Sequence, residues 1–238
     1  MAVAWAVALV LGACAVTLAR FGWEHLPHAR PLEELSYYPS GQHLRPATLG
    51  HPETAADLAW LRAVQYYGEH RLRDNHFERM DHVFDIISTL APRFVACYVF
   101  GAFALAQEGQ DFPAAEALMQ KGLDANPKDA ELAFQAGFLY YVKTGGRDLR
   151  HAAEYFELSA RLPNAPPQAA RFAAFSRQNA GDLHVAYALW KDVAEHSPNA
   201  YLREMAQRNL EEIGAALAAR RPEMAIRKLA TPRVQVGH

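Results

Sequence analysis

The chain opens on an unbroken apolar run and then changes to a helical pattern that continues almost to its end. Ala2 to Ala19 contains no charged residue. From about residue 53 onward, apolar positions recur three and four residues apart, as amphipathic helices require. Asp57 to His70, with Trp60, Tyr66 and Tyr67, reads as a long first helix. Between these regions, residues 24–52 carry Pro27, Pro31, Pro39, Pro46 and Pro52 with Gly41 and Gly50, which excludes a long helix. Tyr37, Tyr38 and Leu44 make the stretch too apolar for a pure spacer, so part of it is expected to pack on the helices that follow.

Within the helical region one pattern recurs. Four segments align on Met80, Ala115, Ala152 and Ala186, spaced 35, 37 and 34 residues apart. Each is followed four residues later by a large apolar residue: Phe84, Met119, Phe156 or Trp190. Three segments close on Pro92, Pro127 and Pro198, and the third closes on Asn164 with extra residues at Gly145-Gly146. Upstream lie further small residues, Gly101, Gly137 and Ala174, where a first helix would meet its partner. This pattern resembles the tetratricopeptide repeat family over residues 54 to 198. The fit is weakest in the first unit, where Met80 stands in place of alanine. The chain is also similar to bacterial tetratricopeptide proteins with one N-terminal hydrophobic segment. The resemblance implies an all-α fold, a right-handed superhelical solenoid of antiparallel helix pairs. Physical chemistry supports the pattern independently: helices of this length are marginal alone, so each unit must bury an apolar face on its neighbour. Small residues at the crossings let the helix axes approach.

The implied organisation is an N-terminal anchor or signal helix (1–23), a proline-rich linker (24–52) and about four helix pairs (53–199). A capping helix (200–219) and a basic flexible tail (220–238) follow. Tyr201, Met205, Leu210, Ile213 and Leu217 place the apolar side of the cap on one helical face. At about 1.5 Å per residue, the 18 charge-free residues reach about 27 Å, just short of a bilayer core of about 30 Å, and Phe21 and Trp23 extend them. Four readings of the segment stay open: an uncleaved single-pass anchor, a lipoprotein signal, a cleaved signal, or a buried helix of a soluble chain. Against a cleaved signal stands the missing basic n-region. For the lipoprotein, Leu11-Gly12-Ala13 precedes Cys14, the candidate lipidation site. The anchor reading puts the chain in a membrane, as a bacterial inner-membrane protein with its soluble part in the periplasm, although Arg20 and Arg30 weigh toward the cytoplasm.

Composition removes several functions. Lys plus Arg total 24 against 26 Asp plus Glu, so there is no basic footprint for nucleic acid. Two cysteines, Cys14 and Cys97, exclude a disulfide framework and a four-cysteine zinc site. The densest polar cluster, His76 and His82 with Asp74, Asp81 and Asp85, reads as a solvated helix face, and His25 with His28 lies in the proline-rich linker without a nearby carboxylate pair. No nucleophile elbow, zinc-protease signature, haem-attachment motif or phosphate loop occurs, so the reading is of a non-enzyme with no catalytic residue, cofactor or metal.

What remains is binding. Counted outward from Gly101, Gly137 and Ala174, the inner wall of the solenoid is expected to present Tyr98, Phe134, Phe138, Tyr141, Arg171, Phe175 and Gln178. Such an aromatic groove would take an apolar helix or extended peptide. The expected function is a membrane-tethered scaffold or assembly factor binding protein subunits of an envelope complex, in contact with the bilayer through residues 2–23. The alternative is a pilotin or secretion-chaperone lipoprotein anchored through Cys14.

Overall fold

The structure is a computed structural model that describes residues 12, 14–18, 20, 39–74, 77 and 79–227. The chain divides into two units, Met1–Tyr38 and Pro39–His238. In the first, the described residues are helical, and Thr17 Oγ1 donates to the Cys14 carbonyl at 2.9 Å. Most of the expected anchor, together with Tyr37, Tyr38, His25 and His28, lies outside the described residues. Among those described, no helix is long and apolar enough to cross a membrane.

The second unit is all-helical over its described residues. A short helix α1 (Gly41–Ala47) precedes α2 (Pro52–Arg73) and α3 (Met80–Leu90). Then come α4 (Val95–Gln107), α5 (Phe112–Ala125), α6 (Ala130–Tyr141) and α7 (Leu149–Arg161). The set is completed by α8 (Ala169–Asn179), α9 (Leu183–His196), α10 (Ala200–Ala218) and a 3-10 turn, Pro222–Met224. Helices pack chiefly on their sequence neighbours, as pairs α2/α3, α4/α5, α6/α7 and α8/α9 followed by α10. Contacts between α3 and α5, and between α4 and α6, join successive pairs. This is the packing of an array in which each unit leans on the next.

Local sequence sets these boundaries. Asp111, Asp129 and Asp148 cap α5, α6 and α7 by accepting from the backbone N–H three residues on, at 3.0, 2.9 and 3.2 Å. Asn199 caps α10, accepting from Tyr201 N at 2.9 Å and from Leu202 N at 3.4 Å. Asp182, at the equivalent place before α9, makes no capping bond. It accepts instead from Arg177 Nη1 at 3.2 Å, while Glu157 accepts from Arg177 Nε at 2.6 Å. Burial alone would lower the Arg177 pKa, but the hydrogen bond and charge of Glu157, then those of Asp182, outweigh it and raise the value.

The recurring residues do what their spacing requires. Met80, Ala115, Ala152 and Ala186 are buried, as are Phe84, Met119, Phe156 and Trp190. Gly101 lies where α4 meets α3 and α5: an added Cβ would stand 2.8 Å from the Phe84 ring and 2.7 Å from Leu118. Tyr140 joins α6 to both neighbouring helices. Its hydroxyl donates to Glu116 on α5, and its ring stacks on Tyr155 of α7 with centroids 5.5 Å apart.

Burial, and then the bond to Glu116, hold the Tyr140 phenol well above its ordinary range. Neutral Tyr140 therefore contributes its stability in full below the unfolded phenol pKa of about 10 and loses it as pH rises past that value. The gap between the urea midpoints of the wild type and Tyr140→Phe should hold from about pH 8 to about pH 10 and narrow by about pH 11. A gap still unchanged at about pH 11 would show that the hydroxyl is not held neutral by the fold.

One segment packs as expected and one departs from expectation. In the linker, α1 packs on α3, with Gly41 buried against Thr89 and Ile86. The tail, expected to be flexible from residue 220, folds back at its start: Ala225 is buried and its carbonyl accepts from Gln178 Nε2 at 2.8 Å. Arg227 N donates to Asn179 Oδ1 at 2.9 Å. Tail residues 228–238 lie outside the described set. On the cap, Ile213 is buried as expected, with Ala206, Asn209 and Ala216 around it, whereas Tyr201 points to solvent.

Candidate partner-binding face

The seven residues expected to line a groove separate into two groups. Tyr98, Phe134 and Gln178 are buried and present no surface. Tyr98 donates its hydroxyl to the Pro92 carbonyl at 3.0 Å, and burial pushes its pKa up to about 12. Its ring lies so close to α5 that a Cβ on Gly122 would stand 2.6 Å away. Phe134 is enclosed by Phe156 and Phe172, at centroid distances of 5.1 and 5.5 Å. Gln178 is the hub of a buried polar relay: it accepts from Trp190 Nε1 at 2.7 Å and donates to the tail. Those three belong to the core.

Phe138, Tyr141, Arg171 and Phe175 are half-buried and come together. Phe138 and Tyr141 stack one turn apart on α6, with centroids at 5.9 Å. Tyr141 continues to Phe175 of α8 at 6.3 Å. Two rings absent from the expected set complete the row. Phe103 of α4 lies 6.1 Å from Phe138, and Phe172 of α8 lies 5.5 Å from Tyr141 with its edge to the ring. The result is a ribbon of half-exposed aromatics crossing α4, α6 and α8, the first helices of three successive pairs. A sequence signal for the missing rings existed: Phe103, Phe138 and Phe172 are 35 and 34 residues apart, close to the repeat length.

Cations border the ribbon. The Arg171 guanidinium lies 4.3 Å above Phe172, and that of Arg147 lies 4.9 Å from the Tyr141 ring centroid. Arg147 Nε is buried without a hydrogen-bond partner. Beyond Arg147, an open depression of ≈ 590 Å³ lies beside the α6–α7 loop, with Lys143, Arg150 and His151 on its walls. Arg150 pairs with Asp182 at 3.5 Å and His151 with Asp148 at 2.7 Å, so much of this charge is already engaged. The His151 bond lowers the Asp148 pKa despite burial, which by itself raises it.

Other candidate chemistry lies apart from the ribbon. Cys97 is buried in α4, and desolvation pushes its thiol up to about 12, far from a reactive thiolate. Cys14 is a free, exposed thiol. Asp85 accepts from Lys121 Nζ at 2.8 Å, while His76 lies outside the described residues. Among the described residues, no group of three or more His, Cys, Asp or Glu side chains is placed to hold a metal ion.

The ribbon is thus a continuous row of half-exposed aromatics bordered by two arginines. No protein-family model, curated protein or solved structure matches the chain.

Proposed function

We propose that the chain is a tetratricopeptide-like scaffold that captures a protein or peptide partner on the aromatic ribbon of α4, α6 and α8. The observation that carries this reading is the row Phe103, Phe138, Tyr141, Phe172 and Phe175, half-exposed and in ring contact across three successive first helices. Aromatic rings held rigid by their neighbours lose little entropy on binding and supply most of the energy of an interface. Stacked helical pairs curve in a right-handed superhelix, which would turn the same row into a concave wall. The charge-free segment Ala2 to Ala19 supports a tether at a bilayer, in a bacterial envelope complex. A second reading rests on Cys14, an exposed thiol preceded by Leu-Gly-Ala: lipidation there would make the chain a lipoprotein of the pilotin or secretion-chaperone type. An acylated Cys14 at the mature N terminus, seen by mass spectrometry, supports it, and an intact Met1 supports the anchor.

Full-length chain purified from detergent-solubilised membranes tests the ribbon. Phe138→Ala with Tyr141→Ala, and separately Arg171→Glu, should each lower recovery of the same partner by about tenfold, as loss of a hot spot does. Helix content should stay at the wild-type level. Equal recovery with matched helix content removes the ribbon as the capture surface.

A further inference from the structure

α2 is the first long helix of the array, with the rest of the helical pairs packed on one side of it. Its inner face buries Ala56, Ala63 and Tyr66. Its outer face carries Leu58, Leu61, Gln65, Gly68 and Leu72, a single line by the helical spacing of three and four. Leu58, Leu61 and Leu72 are 63%, 59% and 88% exposed, and Val64 beside them is 41% exposed. At the other end of the array, α10 turns Glu204, Gln207, Arg208, Glu211 and Glu212 to solvent, as a terminal helix should. A leucine row on one terminal helix and a charged row on the other marks the α2 face as a contact surface.

We propose that this face pairs with the same face of a second copy of the chain, the two α2 helices antiparallel about a two-fold axis near residues 64–65. The sequence of α2 complements its own reversal. In that register Leu58 of one copy lies opposite Leu72 of the other, and Leu61 opposite Gly68. Around Gly68 there is open space: a Cβ there would meet no atom within 4 Å, so it can receive a leucine. The flanking charges agree. In antiparallel helices each flank meets the same flank of the partner. Asp57 and Arg71 lie on one flank, Arg62 and Glu69 on the other, so Asp57 meets Arg71 and Arg62 meets Glu69 across the axis, each twice. Arg71 also approaches Glu108 at 3.4 Å, yet its side chain remains 48% exposed. A parallel pairing would set Gly68 against Gly68 and leave a gap. The contact is isologous and closes at two copies. It is independent of what the aromatic ribbon binds.

Sedimentation of the full chain in mild detergent, from about 1 to 100 µM, tests the pairing, because a single-helix interface of modest area dissociates in that range. The expected result is a concentration-dependent monomer–dimer equilibrium. Gly68→Trp should weaken it by at least about tenfold by blocking the Leu61 socket, with helix content unchanged. Arg62→Glu should weaken it, and adding Glu69→Arg should restore it. In a Cys14→Ser background, Gln65→Cys should cross-link to itself on oxidation, while Thr54→Cys, at the end of the same row, should not. A wild type monomeric throughout overturns the proposal, as does a dimer indifferent to Gly68→Trp or cross-linked equally from both cysteines. So does a monomer in which Gln65→Cys is shielded from maleimide, because the face is then covered by the chain itself.

Discussion

Trp190→Ala is expected to cost roughly 3–5 kcal/mol, the range for removing a large buried aromatic, and to lie at its upper end. Two effects coincide. Trp190 is the largest fully buried side chain, packed with Ala174, Leu183, Val193 and Ile213 from α8, α9 and α10. Its loss leaves a cavity where three helices meet. It also strands Gln178 Oε1, which accepts from Trp190 Nε1 at 2.7 Å in a site with no water access, a penalty of about 1–3 kcal/mol. Trp190→Phe separates the terms: most of the ring volume remains while the donor is lost, so only the second cost is expected. Because units of an array lean mainly on their neighbours, damage should be local. Hydrogen exchange should show loss of protection from α8 to the Ala225 turn, with α4 to α6 retaining theirs. A stability change below about 1 kcal/mol would mean that the site collapses around the gap or is already open.

Gly137→Ala should destabilise by about 1–3 kcal/mol even though alanine is the better helix former. A Cβ at Gly137 would stand 2.7 Å from Phe156 Cδ1, 2.8 Å from Cε1 and 3.0 Å from the Ala152 carbonyl. The ring cannot retreat, since Phe134 and Phe172 are packed against it at 5.1 Å each. Gly214→Ala in α10 is the paired control. No atom lies within 4 Å of a Cβ there, so helix propensity acts alone and a gain of about 0.5–1 kcal/mol is expected. Opposite signs for one chemical change in two helices, read from urea midpoints, is the predicted outcome. If both stabilise, α6 and α7 are not in the close contact described.

Two partial structures in the sequence explain what could be read from it. The second helices α5, α7 and α9 carry a clean apolar stripe on a polar helix, so Ala115, Ala152, Ala186 and their large partners could be assigned to the core from spacing alone. The first helices α4 and α6 are different. Val95–Gln107 contains no charged residue, and Ala130–Tyr141 contains one, Glu131. A helix packed by its own partner and by both adjacent units is apolar nearly all round, and periodicity then says nothing about which side faces out. For that reason periodicity does not separate the core rings Tyr98 and Phe134 from the half-exposed Phe103, whereas Phe172, on the more polar α8, is legible from its 34-residue spacing to Phe138.

Gln178 illustrates a different limit. A glutamine at a first-helix position reads as a polar group lining a wall, but its partners are Trp190 and the backbone of Ala225, 47 residues downstream. Long-range hydrogen bonds leave no periodic trace, and neither does the fold-back of the tail that depends on this one. The same holds for Asp182, which stands just before its helix like the capping aspartates yet accepts from Arg177 instead.

By itself, then, the order of small, large and helix-ending residues every 34 to 37 positions determined a series of paired helices and the burial of the repeat positions Met80, Ala115, Ala152 and Ala186 with their large partners. Those choices are local, made by caps, prolines and volumes within one unit. Tertiary packing alone decided which rings of the first helices stay at the surface, where the tail closes, and that the outer side of α2 carries exposed leucines. Each of these depends on what neighbouring units cover, and coverage is a property of the assembled array rather than of any single helix.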